Sequence, residues 1–234
     1  MSEIKNIYSK RKHVGIYDEE IIPTEAEIRE VLETAYPSLV TSKQKGFPYQ
    51  VNVLGPNKQR SKELWELCEG NKIDTDTKEF GPDQSKYSMN EGLYHIYYAP
   101  WTLIITPRVA PPNEYHKEKF AKANSKWELD DEEFATIHNR ESCGLESGML
   151  AKVITGLLLE RGWDTAYNVC FPKDIIKWKN YTFLKYVPTL IQTIGKGKKY
   201  LYEYKTPEDR EKDTSPPFDD IFKFIDNNKY ENRI

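Results

Sequence analysis

The sequence predicts an α+β fold, and three observations carry that prediction. Extended and helical segments follow one another in mixed order rather than in strict β-α-β alternation. Residues 141–161 form one long apolar helical pattern, and residues 183–194 and 198–204 read as two extended segments around Gly195-Lys196-Gly197. A doubly wound parallel sheet would require the alternation. The 234 residues, 38% hydrophobic and 30% charged, suit one domain with a substantial core. The five Trp and sixteen Tyr argue against wholesale disorder.

The chain opens with a basic cluster, Lys10, Arg11, Lys12 and His13, followed by Val14, Gly15, Ile16, Tyr17 and Asp18. Val14, Ile16 and Tyr17 can anchor the cluster, so it is read either as a solvated basic turn or as a fixed anion site at the edge of a core. Thr24 is the expected N-cap of the next helix, with Glu27 in the capping-box position and Ala26, Ile28, Val31, Leu32 and Ala35 forming an apolar face that ends before Pro37. Residues 47–54 read as a strand closed by Gly55-Pro56-Asn57, and a second helix runs over about 57–68.

Residues 69–98 are polar and without sustained period, and are expected to form a surface excursion. Residues 102–106, between Pro100 and Pro107, are a buried strand of the continuous apolar type. A second excursion covers 109–140, with a charged helix expected around 114–123. The helix at 141–161 carries apolar residues around most of its circumference, which predicts a central, buried element. It also contains Gly144, Gly148 and Gly156, with Ser147, Ala151 and Thr155 at four-residue spacing. Interior glycines destabilise a helix by roughly 1 kcal/mol each, so close approach by another backbone is expected. That backbone belongs either to this subunit or to a symmetry mate. Gly162-Trp163-Asp164 ends the helix, a strand follows over 165–171, and the Gly195-Lys196-Gly197-Lys198 segment is expected to be a hairpin turn. The tail from Lys205 is charged and leads into a short helix with Ile221, Phe222, Phe224 and Ile225.

A net charge of −3 leaves no global field to attract nucleic acid. Cys68, Cys143 and Cys170 are odd in number and widely spaced, which fits a reducing compartment rather than a disulfide framework. No apolar signal core lies in residues 1–9, and the apolar run 149–159 is interrupted by Lys152 and falls short of the roughly 20 residues that span a bilayer. A cytoplasmic protein with no membrane partner is expected. His13, His95, His116 and His138 lie too far apart in sequence for metal-ligand spacing, and no metal is expected. No phosphate loop or nucleophile elbow is present in the sequence.

The sequence resembles the nitroreductase family of flavin enzymes. The resemblance rests on Lys10-Arg11-Lys12-His13 with Tyr17-Asp18, a helix ending in Pro37-Ser38, and Thr41-Ser42-Lys43-Gln44 before a strand. The long small-residue helix, the Gly162-Trp163-Asp164 turn and the strand ending at Cys170-Phe171 continue the order. It implies helices around a mainly antiparallel sheet, a long central dimer-interface helix, and a single domain over 1–234 whose extension 205–234 embraces the partner subunit. It further implies FMN, gripped at its phosphate and ribityl chain by Arg11, Lys12 and His13 with Ser38 nearby, and contacted on the ring by Thr41, Ser42, Gln44 and the backbone N–H of Cys170. Arg210 and Lys212 would add phosphate contacts from the tail.

The implied activity is ping-pong two-electron transfer from NADH or NADPH through FMN to a small electron-poor acceptor such as a nitroaromatic or quinone, in a homodimer. No general acid or other catalytic side chain is named by the pattern. Lys43 interrupts the ring-contacting segment, Val169 stands where many members have Glu, and Cys170 stands where Gly is common. Those departures keep open a flavin-binding or sequestering protein on the same scaffold without efficient turnover, and the two polar excursions keep open an interaction module that binds a macromolecule. For Cys170 a buried strand thiol remains the alternative to a redox role.

Overall fold

The computed structural model describes residues 6–7, 10–38, 49–69, 94–108, 132–169, 171–179, 184 and 186–201. All of them belong to the compact unit Met1–Tyr202; the second unit, Glu203–Ile234, lies outside the described residues. So do the expected helix at 114–123, the tail helix and most of both excursions.

In chain order the elements are β1 (His13–Tyr17), α1 (Glu25–Ser38), β2 (Tyr49–Leu54), α2 (Lys58–Glu69), α3 (Tyr94–Tyr98), β3 (Trp101–Pro107), α4 (Glu132–Glu160), β4 (Asp164–Asn168), α5 (Ile175–Lys179), β5 (Leu190–Gly195) and β6 (Gly197–Leu201). A four-stranded antiparallel sheet has the order β2-β3-β5-β4, and β1 pairs antiparallel with β6 in a separate two-stranded sheet. The class is α+β, with helices around an antiparallel sheet.

The central strands explain the continuous apolar run at 102–106. Leu103 and Ile105 of β3, with Leu190 and Ile194 of β5, face α1 and α4, where Ile28, Val31, Leu150, Ile154 and Leu158 pack. Ile104 and Ile191 point to the opposite face, against Leu64 and Trp65 of α2, Ile96 of α3 and Trp178 of α5. Because both faces are covered, alternation in the sequence disappears. The second of these clusters also holds Val14, Ile16 and Tyr17 of β1, so the residues after the basic cluster do anchor it.

Helix boundaries follow local chemistry. The capping box at α1 is formed: Glu27 N–H donates to Thr24 Oγ1 (3.2 Å) and Thr24 N–H donates to Glu27 Oε2 (2.7 Å). The helix runs through Pro37 to Ser38 rather than stopping before the proline. Pro37 keeps helical φ, and its missing N–H and the crowding of its ring against the Glu33 carbonyl fall in the last turn, one residue from the helix end. Asn57 caps α2 by accepting from the Arg60 N–H at 3.0 Å. Helix α4 ends in a Schellman motif, with Trp163 N–H donating to Leu158 O (2.9 Å) and Gly162 N–H to Leu159 O (3.1 Å). Gly162 takes φ of 80°, which that motif requires.

Three expectations need correction. Helix α4 begins at Glu132, not at 141: its first turns carry only two large apolar residues, Phe134 and Ile137, at helical spacing, too short a run to show a period. Gly195-Lys196-Gly197 is not a hairpin: β5 pairs with β3 and β4 while β6 pairs with β1, so the segment is a corner between two sheets. Asp18 N–H donates to Lys196 O at 2.7 Å and Gly197 N–H to Asp164 Oδ2 at 2.9 Å, which pins that corner. A Cβ at Gly195 would lie 2.7 Å from ring carbons of Pro100 and 2.9 Å from the Tyr17 ring, so only glycine fits. Third, α4 is not buried all round. Leu145 (64% exposed) and Met149 (48%) face outward beside Gly144 and Gly148, where an added Cβ would meet nothing within 4 Å.

The small residues of α4 therefore form two rows with different surroundings. Cys143, Ser147, Ala151 and Thr155 are buried within the subunit, whereas Gly144, Leu145, Gly148, Met149 and Lys152 form an exposed row. Intrasubunit packing explains the first row and leaves the glycines of the second without a neighbour among the described residues.

Candidate anion and flavin site

The basic cluster sits at the mouth of β1, where that strand passes β4 and α3. Each of its three residues next to the strand rests on an aromatic ring from a different element. The Arg11 guanidinium lies 5.1 Å from the centroid of Tyr167 on β4, and the Lys12 ammonium 4.7 Å from that of Tyr200 on β6. The His13 ring meets His95 of α3 edge-on, with centroids 6.0 Å apart and planes at 82°.

The rings are themselves held. The Tyr167 hydroxyl hydrogen-bonds Thr155 Oγ1 and lies 3.2 Å from the Ala151 carbonyl on α4. Thr155 in turn accepts from Gln192 Nε2 (3.3 Å), which also donates to Thr165 Oγ1 (3.0 Å). The Tyr200 hydroxyl lies 3.1 Å from Asp164 Oδ2 and 3.1 Å from Gly197 O. A buried polar network thus reaches from α4 and β5 to the underside of the cluster.

Electrostatics sharpen the picture. His95 is buried and its pKa is pushed down to about 3, mainly by burial and secondarily by His13. His13 is also lowered, first by partial burial and then by the neighbouring Arg11. Both imidazoles are therefore neutral near pH 7, and the positive charge of the site comes from Lys10, Arg11 and Lys12. Arg11 is half-buried and has no ion-pair or hydrogen-bond partner among the described residues. A guanidinium so placed, with its planar fork free and its face on a ring, suits a phosphate oxygen pair.

Arg11, Lys12 and His13 are consecutive in the chain and each side chain rests on a different element; the ring under Arg11, Tyr167, lies two residues from Val169. The side chain of Ser38, at the end of α1, and residues Thr41, Ser42, Gln44, Cys170, Arg210 and Lys212 lie outside what the structure describes. Sequence reasoning missed Tyr167, Tyr200 and His95. All three are far from the cluster in sequence, and a lone Tyr on a strand carries no sign of a cation above it. Among the described residues no group of three or more His, Cys, Asp or Glu is arranged to hold a metal, and no helix is long and apolar enough to cross a membrane.

No protein-family model and no curated protein matches the sequence. Solved structures do. A Staphylococcus epidermidis protein provisionally named an NAD(P)H:FMN oxidoreductase aligns at a TM-score of 0.64 and 16% identity, over 96% of this chain and 97% of that one. A provisionally named nitroreductase from Exiguobacterium sibiricum, in complex with FMN, aligns at 0.61 and 15% identity, over 96% and 98%. A nitroreductase family protein from Clostridium difficile aligns at 0.55 and 16% identity, over 96% and 98%. At such identities the likeness is one of fold, and the chain has the nitroreductase fold.

Proposed function

We propose that this chain is an FMN-dependent oxidoreductase of the nitroreductase type. The observation that carries the reading is the half-buried Arg11 guanidinium, held on Tyr167 with no counter-ion among the described residues, on a scaffold shared with an FMN-bound structure. The donor set fits the group: Arg11, Lys12 and Lys10 match a phosphate dianion, and neutral His13 can donate one N–H to a phosphate or ribityl oxygen. When bound, FMN supplies two-electron hydride chemistry between NADH or NADPH and a small electron-poor acceptor such as a nitroaromatic or quinone. Gln44, Thr41, Ser42, Ser38 and the Cys170 N–H are assigned to the remaining flavin contacts by resemblance, as are Arg210 and Lys212. The chain contributes binding, orientation and local positive potential.

The same reading takes the protein as a homodimer and 1–234 as one domain with 205–234 reaching the partner. The exposed row of α4, with Gly144 and Gly148 open beside Leu145 and Met149, supports an interface there. The test is an absorption spectrum of the purified protein, followed by FMN titration and anaerobic addition of NADH or NADPH. Flavin uptake with bleaching is expected. An apoprotein that ignores FMN overturns the reading, and uptake without bleaching replaces it with flavin binding alone.

A further inference from the structure

Building on the FMN reading, we infer that Tyr167 and Tyr200 are positioning residues of the phosphate site, each fixing one cation of the N-terminal cluster through its ring face. The cluster residues are adjacent in sequence, yet Arg11 rests on a ring from the four-stranded sheet and Lys12 on a ring from the two-stranded sheet. The two cations are thereby directed along different lines by two rigid supports. Long flexible side chains lose rotamer freedom when they grip an anion, and a ring that already holds the cation removes part of that loss beforehand.

The supports are specific in two further ways. Tyr167 is anchored at its hydroxyl to Thr155 and Ala151 of α4, so the ring cannot follow Arg11 if the guanidinium moves. Tyr200 is anchored to Asp164, the first residue of β4, and also sits over the Gly197 corner, where a Cβ would fall 2.5 Å from its ring. Moreover, α4 carries the exposed glycine row, so the element that anchors Tyr167 is also the one assigned to the interface. Because a ring face offers no hydrogen bond to a guanidinium, the N–H fork of Arg11 stays available for the ligand. A carboxylate in the same place would hold Arg11 equally well but would compete with the phosphate.

The experiment measures FMN affinity for Tyr167→Leu, Tyr167→Phe and Tyr200→Leu, alone and with Arg11→Ala. Tyr167→Leu is expected to weaken binding by about 3- to 30-fold, and Tyr167→Phe, which keeps the ring, to restore most of the affinity. In the Arg11→Ala background Tyr167→Leu should have little further effect, a result that general loss of structure does not produce. Equal losses in both backgrounds overturn the inference. If Tyr167→Leu does not fold, Tyr200→Leu, alone and with Lys12→Ala, carries the same test for Lys12. In the ligand-free protein, NMR should show the Arg11 side-chain protons shifted upfield by the Tyr167 ring and relaxed in Tyr167→Leu. Absence of that shift overturns the inference whatever FMN does, whereas its presence with no FMN uptake overturns the flavin reading instead.

Discussion

The hydroxyl of Tyr17 lies 2.9 Å from the carbonyl oxygen of Thr193 and 3.0 Å from its Oγ1, clasping the two-stranded sheet to the centre of the four-stranded one. The phenol is fully buried, and burial holds its pKa well above the usual tyrosine range, so it remains a donor at any ordinary pH. Through this contact β1, and with it the basic cluster, is fixed to the main core. Tyr17→Phe keeps the ring and removes the clasp. Thr193 O would still accept from Thr165 Oγ1 at 2.8 Å, so the loss should lie at the modest end, about 0.5–1.5 kcal/mol. Urea unfolding measures it, and an unchanged midpoint would mean that the packed ring alone holds β1.

The exposed row of α4 makes opposite predictions for alanine in the subunit and at an interface. At Gly148 an added Cβ meets nothing within 4 Å in the subunit, so Gly148→Ala should strengthen the isolated helix by about 0.5–1 kcal/mol. If the row is a dimer interface, the same methyl occupies the space needed for close approach, and association should weaken while the subunit becomes more stable. Sedimentation equilibrium and thermal unfolding below the dissociation concentration separate the two effects. A subunit that is monomeric to begin with at micromolar concentration contradicts the dimer.

Acid should destabilise the protein before its carboxylates titrate. His95 in the unfolded chain takes up a proton near pH 6.5, whereas in the fold its pKa is about 3, so the unfolded state binds more protons between those values. Stability then falls as pH drops below about 6.5, by up to about 1.4 kcal/mol per pH unit, and the contribution is flat above 7. The lowered pKa of His13 acts in the same direction. His95→Gln should flatten the profile between pH 6.5 and about 4.5, above the main carboxylate range. A denaturant midpoint that does not move over that interval in the parent protein would show that His95 is accessible in solution.

How much of this was legible follows from the range of each cause. The capping box at Thr24 and Glu27 and the Gly162 stop are local, and the residues that form them are neighbours in sequence. The buried strand at Thr102–Thr106 was readable because both of its faces are apolar. Helix α3 was not, since Tyr94–Tyr98 is too short to show a period and is buried only through its neighbours. The corner at Lys196 looked like a hairpin because two extended segments flank it. Which strand each segment joins is decided by Tyr17, Pro100 and Asp164, more than 30 residues away in sequence. At the site, the charges of Arg11 and Lys12 were plain, while the tyrosines that direct them were not.

The tail supplies the last prediction. Arg11→Ala should weaken FMN binding by about 1.5–3 kcal/mol, the scale of a lost charge-assisted hydrogen bond. If Arg210 and Lys212 return to the same phosphate, their effects and that of Arg11 act on one charge and cannot add. Neighbours that share a partner couple by roughly 0.5–3 kcal/mol. If instead Glu208, Asp209, Arg210, Glu211, Lys212 and Asp213 form a solvated charge run, each cation there is already balanced by adjacent carboxylates and the phosphate never feels it. A double-mutant cycle between Arg11 and Lys212, read as FMN affinity, separates the cases. Coupling is the expected result, whereas strict additivity would confine the phosphate site to the cluster that Tyr167 and Tyr200 support.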